Sequence, residues 1–337
     1  MLVISNRNLN PEFAKSGFGN ENAFGEQFNS KGPNEIRLAN AYKENGKWRL
    51  ELVQEPKTLR TNNLPSKTQF KAVLDQCKKD KKNCLFFVHG YNKPFAETIE
   101  QGWLLQERYK IEVVVFSWPS NTGGVPIKEY KAVKRVAQAS TGALDNAFEK
   151  LASYLSVPFN KEALLECDVS LNLMTYSMGN FLFQNYVQGT TYDGETRMFT
   201  NVVLCQADCD NEGHRKWVED IQAGKRIYIT INENDKILGW SDANFQKDRL
   251  GRTVRSLNAT NAIYVDFTEG DNVGKTHQLW GEDTNDTVRK FFDCVLNGRR
   301  GEGVDGLDYD SRVNAFRFLR AGNAGNGFAT PGFSDLR

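Results

Sequence analysis

Ser177 stands between an apolar run, Leu171-Asn172-Leu173-Met174-Thr175-Tyr176, and a second run, Met178-Gly179-Asn180-Phe181-Leu182-Phe183, with the look of a helix start. A sharp strand-to-helix turn leaves little space beside its central residue, so small residues are wanted two before and two after it. Gly179 meets that demand, and Thr175 meets it less well. The same turn aims free N–H groups at the start of the helix toward the serine oxygen, where an oxyanion would form. A serine hydroxyl attacks an acyl carbon only if a base takes its proton and a carboxylate steadies the base. The chain holds three histidines. His277 follows the apolar run Ala262-Ile263-Tyr264-Val265-Asp266-Phe267 and is the candidate base. His89 precedes a glycine turn and reads as a residue that holds that turn by hydrogen bonds. His214, heading His214-Arg215-Lys216-Trp217, reads as a surface helix residue. Two carboxylates follow buried-strand patterns and compete as the acid: Asp235 after Arg226–Ile231, and Asp208 after Asn201–Leu204. Asp235 also reads as a plain turn residue within Asn232-Glu233-Asn234-Asp235. The run Cys84-Leu85-Phe86-Phe87-Val88 ends in His89-Gly90-Tyr91-Asn92, and the Tyr91 N–H joins that of Met178 as an oxyanion donor.

These residues need a frame that brings strand ends together. Short apolar runs alternate with helical patterns at 69–78, 96–108, 129–155 (with a break near Ser140-Thr141-Gly142) and 284–296. Parallel strands need crossovers, and a sheet crossed on both faces is covered by helices on both faces. The expected fold is therefore α/β, a mostly parallel central sheet with its ligand site past the carboxyl ends of the strands. Residues 34–55 alternate around Glu44-Asn45-Gly46 and predict a hairpin forming an antiparallel N-terminal edge. The reading gives a single domain over 1–298, with N-terminal strands and hairpin in 1–60 and a catalytic core in 84–298. A Gly-rich tail follows over 299–337. The loop 121–127 borders the site as a possible lid, and with 236–260 it would shape substrate choice.

The ordered set of strand-His89-Gly90-Tyr91-Asn92, strand-Phe116-Ser117-Trp118-Pro119-Ser120, strand-Tyr176-Ser177-Met178-Gly179-Asn180, strand-Asp and strand-loop-His resembles the α/β-hydrolases. Within them it is most similar to a bacterial branch of esterase- or lipase-like hydrolases of unassigned function. Ser5-Asn6-Arg7-Asn8 and Phe18-Gly19-Asn20-Glu21 look like that branch's opening. The resemblance covers roughly residues 1 to 298. It implies the α/β-hydrolase fold, a serine hydrolase working through an acyl-enzyme on a carboxylic ester, and Asp235 as the standard acid with Asp208 as a variant position. Two departures stand out: Tyr176 where histidine is common, and Thr175 where Gly or Ala is common. They keep a second reading open, a catalytically silent fold that binds a ligand or serves as a scaffold.

Charge and composition narrow the partners. Forty-three Lys and Arg against 42 Asp and Glu leave a net charge of +1, which gives no whole-protein field for nucleic acid or an anionic membrane. The densest basic run, Lys78-Lys79-Asp80-Lys81-Lys82, reads as a solvated turn. No stretch reaches the about 18 apolar residues of a membrane span, and the first residues lack a signal peptide's pattern. Six scattered cysteines, several in apolar patterns, read as reduced buried thiols in a cytoplasmic protein. Cys205 and Cys209 lack the histidines of a zinc site. The run Asp208-Cys209-Asp210-Asn211-Glu212-Gly213, with Glu219, nearly matches a calcium loop, but a strand precedes it and Arg215 occupies a position usually apolar. The expected ligand is a small-molecule acyl substrate, with no metal or cofactor; oligomeric state is not legible.

Overall fold

Buried on both faces, the strands Cys84–Val88, Glu112–Ser117 and Leu171–Tyr176 have no solvent-facing side. The computed structural model describes residues 1–54, 64–121, 126–157, 168–189 and 197–318. In chain order its strands are β1 (Leu2–Ser5), β2 (Arg7–Leu9), β3 (Phe18–Gly19), β4 (Phe24–Phe28), β5 (Arg37–Glu44), β6 (Lys47–Leu52), β7 (Cys84–Val88), β8 (Glu112–Ser117), β9 (Leu171–Tyr176), β10 (Phe199–Cys205), β11 (Gly224–Ile231), β12 (Ala262–Asp266), β13 (Asp308–Asp310) and β14 (Ala315–Arg317). The helices are α1 (Pro11–Ser16), α2 (Pro65–Asp80), α3 (Phe95–Tyr109), α4 (Pro126–Ala139), α5 (Thr141–Leu155), α6 (Gly179–Gly189), α7 (His214–Val218), α8 (Lys236–Phe245) and α9 (Asp286–Leu296).

The sheet order is β13-β14-β12-β11-β10-β9-β7-β8-β1-β5-β6-β3, parallel from β14 to β1 and antiparallel at both ends. Successive side chains on a strand face opposite ways. Leu85, Phe87, Met174 and Tyr176 thus enter one apolar layer with residues of α3 and α9. Phe86, Val88 and Leu173 enter the other with residues of α2, α4, α5 and α6. A third cluster of Val3, Phe13, Phe24, Trp48 and Phe95 lies under the N-terminal strands. Among the described residues no helix is long and apolar enough to cross a membrane.

Register decides where chemistry can sit. Val88 pairs with both Phe116 and Thr175, Tyr176 with Cys205, Cys205 with Thr230, and Thr230 with Val265. These pairings bring the carboxyl ends of β7, β9, β10, β11 and β12 level, so the next residue in each chain segment opens onto one shared rim.

Two features differ from the sequence reading. The hairpin of β5 and β6 extends the sheet antiparallel, as expected, joining the parallel core at its last strand, β1, but it is not the outermost element, because β3 pairs along the free edge of β6. Past residue 298, where the reading ended the domain, β13 and β14 continue the sheet, with β14 parallel to β12. The pattern at 129–155 does break at Ser140, between α4 and α5. Most of the loop considered as a lid, 122–125, and the tail 319–337 lie outside the described residues.

Candidate active site

At the end of β9 the backbone of Ser177 takes φ = 54°, a left-handed conformation that a side chain rarely adopts. Such a residue costs about 1–3 kcal/mol and persists only where its surroundings hold it. Here they do. Ser177 N–H donates to the Cys205 carbonyl at 3.0 Å, and the Ser177 carbonyl accepts from Asp208 N–H at 3.2 Å. Asn180 Nδ2 donates to the carbonyls of Ser177 (3.0 Å) and Cys205 (3.1 Å). Thr175, the residue that departs from the small-residue pattern, donates its hydroxyl to Asn180 Oδ1 at 2.6 Å and so braces this amide. Gly179 is required by space: a Cβ there would lie 2.6 Å from the His89 carbonyl oxygen and 2.7 Å from that of Val88.

Ser177 Oγ lies 2.9 Å from His277 Nε2, and His277 Nδ1 lies 2.7 Å from Asp235 Oδ2. A carboxylate only accepts, so Nδ1 carries the proton and Nε2 turns its lone pair to the serine hydroxyl. Asp235 is fully buried and caps α8, its Oδ1 accepting from the N–H groups of Ile237 (2.9 Å) and Leu238 (3.0 Å). The positive end of the helix dipole thus faces the carboxylate. The loop carrying His277 is held from below. Asn232 Nδ2 donates to the carbonyls of Gly274 (3.1 Å) and Thr276 (2.9 Å), and Gln206 Nε2 to that of Thr276 (3.1 Å). Tyr176, in place of the commoner histidine, donates its hydroxyl to the His277 carbonyl at 3.0 Å, and the two rings lie 5.2 Å apart.

The second wall is the turn after β7. His89 is fully buried, with Nδ1 2.9 Å from the Gly90 carbonyl and Nε2 3.1 Å from Trp118 N–H. Trp118 Nε1 donates back to the His89 carbonyl at 2.9 Å, and the rings stack. Burial first, and then the charge of Arg7, hold the His89 imidazole well below its usual pKa. The neutral ring therefore donates from Nδ1 to Gly90 and accepts at Nε2. Fixing the Gly90 carbonyl fixes the whole Gly90–Tyr91 peptide plane, because the Tyr91 N–H points the opposite way from it. Among the described residues, neither the Tyr91 N–H nor the Met178 N–H has a protein acceptor. Gly90 lies directly against the serine: a Cβ there would be 2.8 Å from Ser177 Cβ.

Asp208, the other acid considered, is engaged elsewhere. It accepts from Tyr130 Oη (2.8 Å) and Ser241 Oγ (3.0 Å) and pairs with buried Arg249 at 3.4 Å. Its neighbour Asp210 also pairs with Arg249 and, at 2.6 Å, with Lys247. Two carboxylates of the calcium-like run are thus matched by cations. His214 does not lie on the surface as read from sequence. It is buried, with Nδ1 2.6 Å from the Asn211 carbonyl and Nε2 2.7 Å from Tyr264 Oη. A tyrosine fifty residues downstream supplies the cover that a local reading lacks.

The structure thus brings Ser177, His277 and Asp235 into one hydrogen-bonded row beside the free N–H groups of Tyr91 and Met178, and leaves Asp208 outside it. Sequence reading missed Gln206 and Asn232 as site residues. Their only local signal is an amide directly after an apolar strand, where a loop residue would otherwise face solvent.

A family model described as an alpha/beta hydrolase of unknown function (DUF900) matches residues 66–264. That span runs from α2 to β12 and includes His89, Ser177 and Asp235, while His277 follows it. No curated protein and no solved structure matches the chain.

Proposed function

The chain belongs to this family of alpha/beta hydrolases of unknown function, and from that premise we propose that it is a serine hydrolase acting through an acyl-enzyme, most simply on a carboxylic ester. One observation carries the reading. A serine strained into the left-handed region points its hydroxyl at an imidazole 2.9 Å away, whose far nitrogen meets a buried carboxylate at 2.7 Å.

In this reading His277 Nε2 takes the Ser177 proton as Oγ attacks the acyl carbon, and the carbonyl π electrons move onto oxygen. The resulting oxyanion accepts from the N–H groups of Met178 and Tyr91, each such donor being worth about 10²–10³ in kcat. Collapse of the tetrahedral adduct breaks the bond to the alcohol, which leaves with the proton from His277. Water, deprotonated by the same nitrogen, then attacks the acyl-enzyme, and Ser177 leaves with its proton restored. Asp235 fixes the tautomer and steadies the imidazolium through both halves. The substrate is a small acyl compound. The buried free thiols of Cys77, Cys84, Cys205 and Cys209 support a reducing, cytoplasmic setting for it.

The test is labelling by a fluorophosphonate, with hydrolysis of p-nitrophenyl acetate and longer esters, in the wild type and in Ser177→Ala. Labelling and turnover in the wild type alone are expected. Equal turnover in Ser177→Ala, or no labelling of a folded wild type, would reject the proposal.

A further inference from the structure

Gln206 immediately follows β10, is fully buried, and adopts φ = 43°. A long polar side chain in that position pays for burial only if every polar atom finds a partner. Each does. Nε2 donates to Asp235 Oδ2 at 2.7 Å and to the Thr276 carbonyl at 3.1 Å. Oε1 accepts from Leu279 N–H at 2.9 Å. The backbone N–H donates to Thr230 Oγ1 at 3.1 Å. The amide cannot be turned over: a carboxylate and a carbonyl can only accept, and a backbone N–H can only donate.

Resting on the proposed triad, we infer that Gln206 is a positioning residue for it, coupling Asp235 to the loop that carries His277. Two consequences follow from the geometry. First, Asp235 accepts four hydrogen bonds, from His277 and Gln206 on Oδ2 and from Ile237 and Leu238 on Oδ1. This matches the roughly four lone-pair sites of a carboxylate, so rotation of the group about its Cβ–Cγ bond would break bonds on both oxygens. Secondly, Gln206 grips the loop on each side of His277, at Thr276 and at Leu279. One planar group therefore sets the distance between the acid and the base. Asn232 and Tyr176 hold the loop as well, but among the described contacts only Gln206 also touches the carboxylate.

The amide also brings no charge of its own beside the carboxylate, so it holds Asp235 Oδ2 in place without competing with His277 as an ion would.

The experiment compares wild type, Gln206→Met and Gln206→Glu for hydrolysis of p-nitrophenyl acetate across pH, with melting temperature and fluorophosphonate labelling measured alongside. Gln206→Met keeps the length of the side chain and removes both donor and acceptor. Loss of a hydrogen bond to a charged group predicts a fall in kcat of about ten- to a hundredfold. KM should change little, because the amide touches the triad and not the substrate. Gln206→Glu keeps the acceptor for Leu279 but sets a second carboxyl against Asp235. Like charges that close cannot both ionise, so the pair shares a proton at low pH and repels once it is lost. Its activity relative to the wild type should therefore fall as pH rises and that shared proton is lost. If both variants fold and keep the wild-type kcat and pH profile, Gln206 is only a satisfied core residue and the inference fails. The same result with Ser177→Ala inactive leaves the triad proposal standing; turnover that survives in Ser177→Ala removes that proposal and this inference with it. Should Gln206→Met fail to fold, the alkaline loss in Gln206→Glu decides alone.

Discussion

Gly90→Ala adds a single methyl group at the point where the turn after β7, the proposed oxyanion turn, meets Ser177, the proposed nucleophile. The new Cβ would lie 2.8 Å from Ser177 Cβ, 3.1 Å from the Tyr176 carbonyl oxygen and 3.3 Å from Ser177 Oγ. Carbon atoms rest about 3.5–4.0 Å apart, so the turn and the serine must separate by roughly 0.7–1.2 Å at this contact. Neither partner can yield as a flexible tip does, since the serine Cβ sits on a strained and fully hydrogen-bonded backbone. The displacement falls between the nucleophile and the Tyr91 N–H. Misplacement of about 1 Å costs on the order of 10²-fold in rate, and loss of an oxyanion donor costs about 10²–10³, or roughly 2.7–4 kcal/mol of transition-state stabilisation. Over-packing costs only about 1–3 kcal/mol of stability, and melting should drop by a few degrees. The assay is steady-state hydrolysis of p-nitrophenyl acetate beside a melting curve. Gly303→Ala serves as the control, because a Cβ there meets nothing within 4 Å. A folded Gly90→Ala with kcat within about threefold of wild type, a difference under about 1 kcal/mol, would refute the assignment of this turn to the oxyanion.

The two acids and the two buried imidazoles give separate tests. Asp235→Asn should lower kcat by about 10⁴ through the wrong imidazole tautomer, whereas Asp208→Asn should weaken folding by up to about 3 kcal/mol and leave most of the turnover. An inactive Asp208→Asn beside an active Asp235→Asn would reverse the assignment. His89 and His214 both have pKa values lowered chiefly by burial. Unfolded, each takes up a proton near pH 6.5, while the folded chain resists it, so this share of stability is present above about pH 6.5 and is lost as pH falls toward the lower folded values. Melting temperature should decline from about pH 7 to 5, less so in His214→Gln, and identical slopes in the two proteins would contradict the reading of His214 as a buried neutral group.

Much of this site was legible because its residues punctuate strands. Each of β7, β9, β11 and β12 ends an apolar run, and the residues after the runs, His89, Ser177, Asp235 and His277, are few enough in kind to be read as a set. Level strand ends then bring them to one rim. What was not legible depends on partners distant in sequence. Asp208 follows a strand as neatly as Asp235 does, and only Arg249, Tyr130 and Ser241 draw it away. His214 looked solvated until Tyr264 covered it, and Tyr176 and Thr175 looked like defects until their hydroxyls met His277 and Asn180. β13 and β14, three residues each, are too short for an alternating pattern to emerge from a Gly-rich segment.

The wide spacing of the site along the chain has a consequence for how the protein is made. Ser177 and His277 are 100 residues apart, and Gln206 and Asp235 fall between them in sequence. Parallel strands pair only after their crossovers have formed, which makes such sheets slow to assemble. The hydrogen bond from the Ser177 hydroxyl to His277 can close only when β9 to β12 have all found their neighbours, so in a nascent or partly folded chain the serine lacks its base. Under the proposed function, nucleophilic power is thereby withheld until the topology is complete, and the newly synthesised protein is spared a reactive side chain while its apolar strands are still exposed.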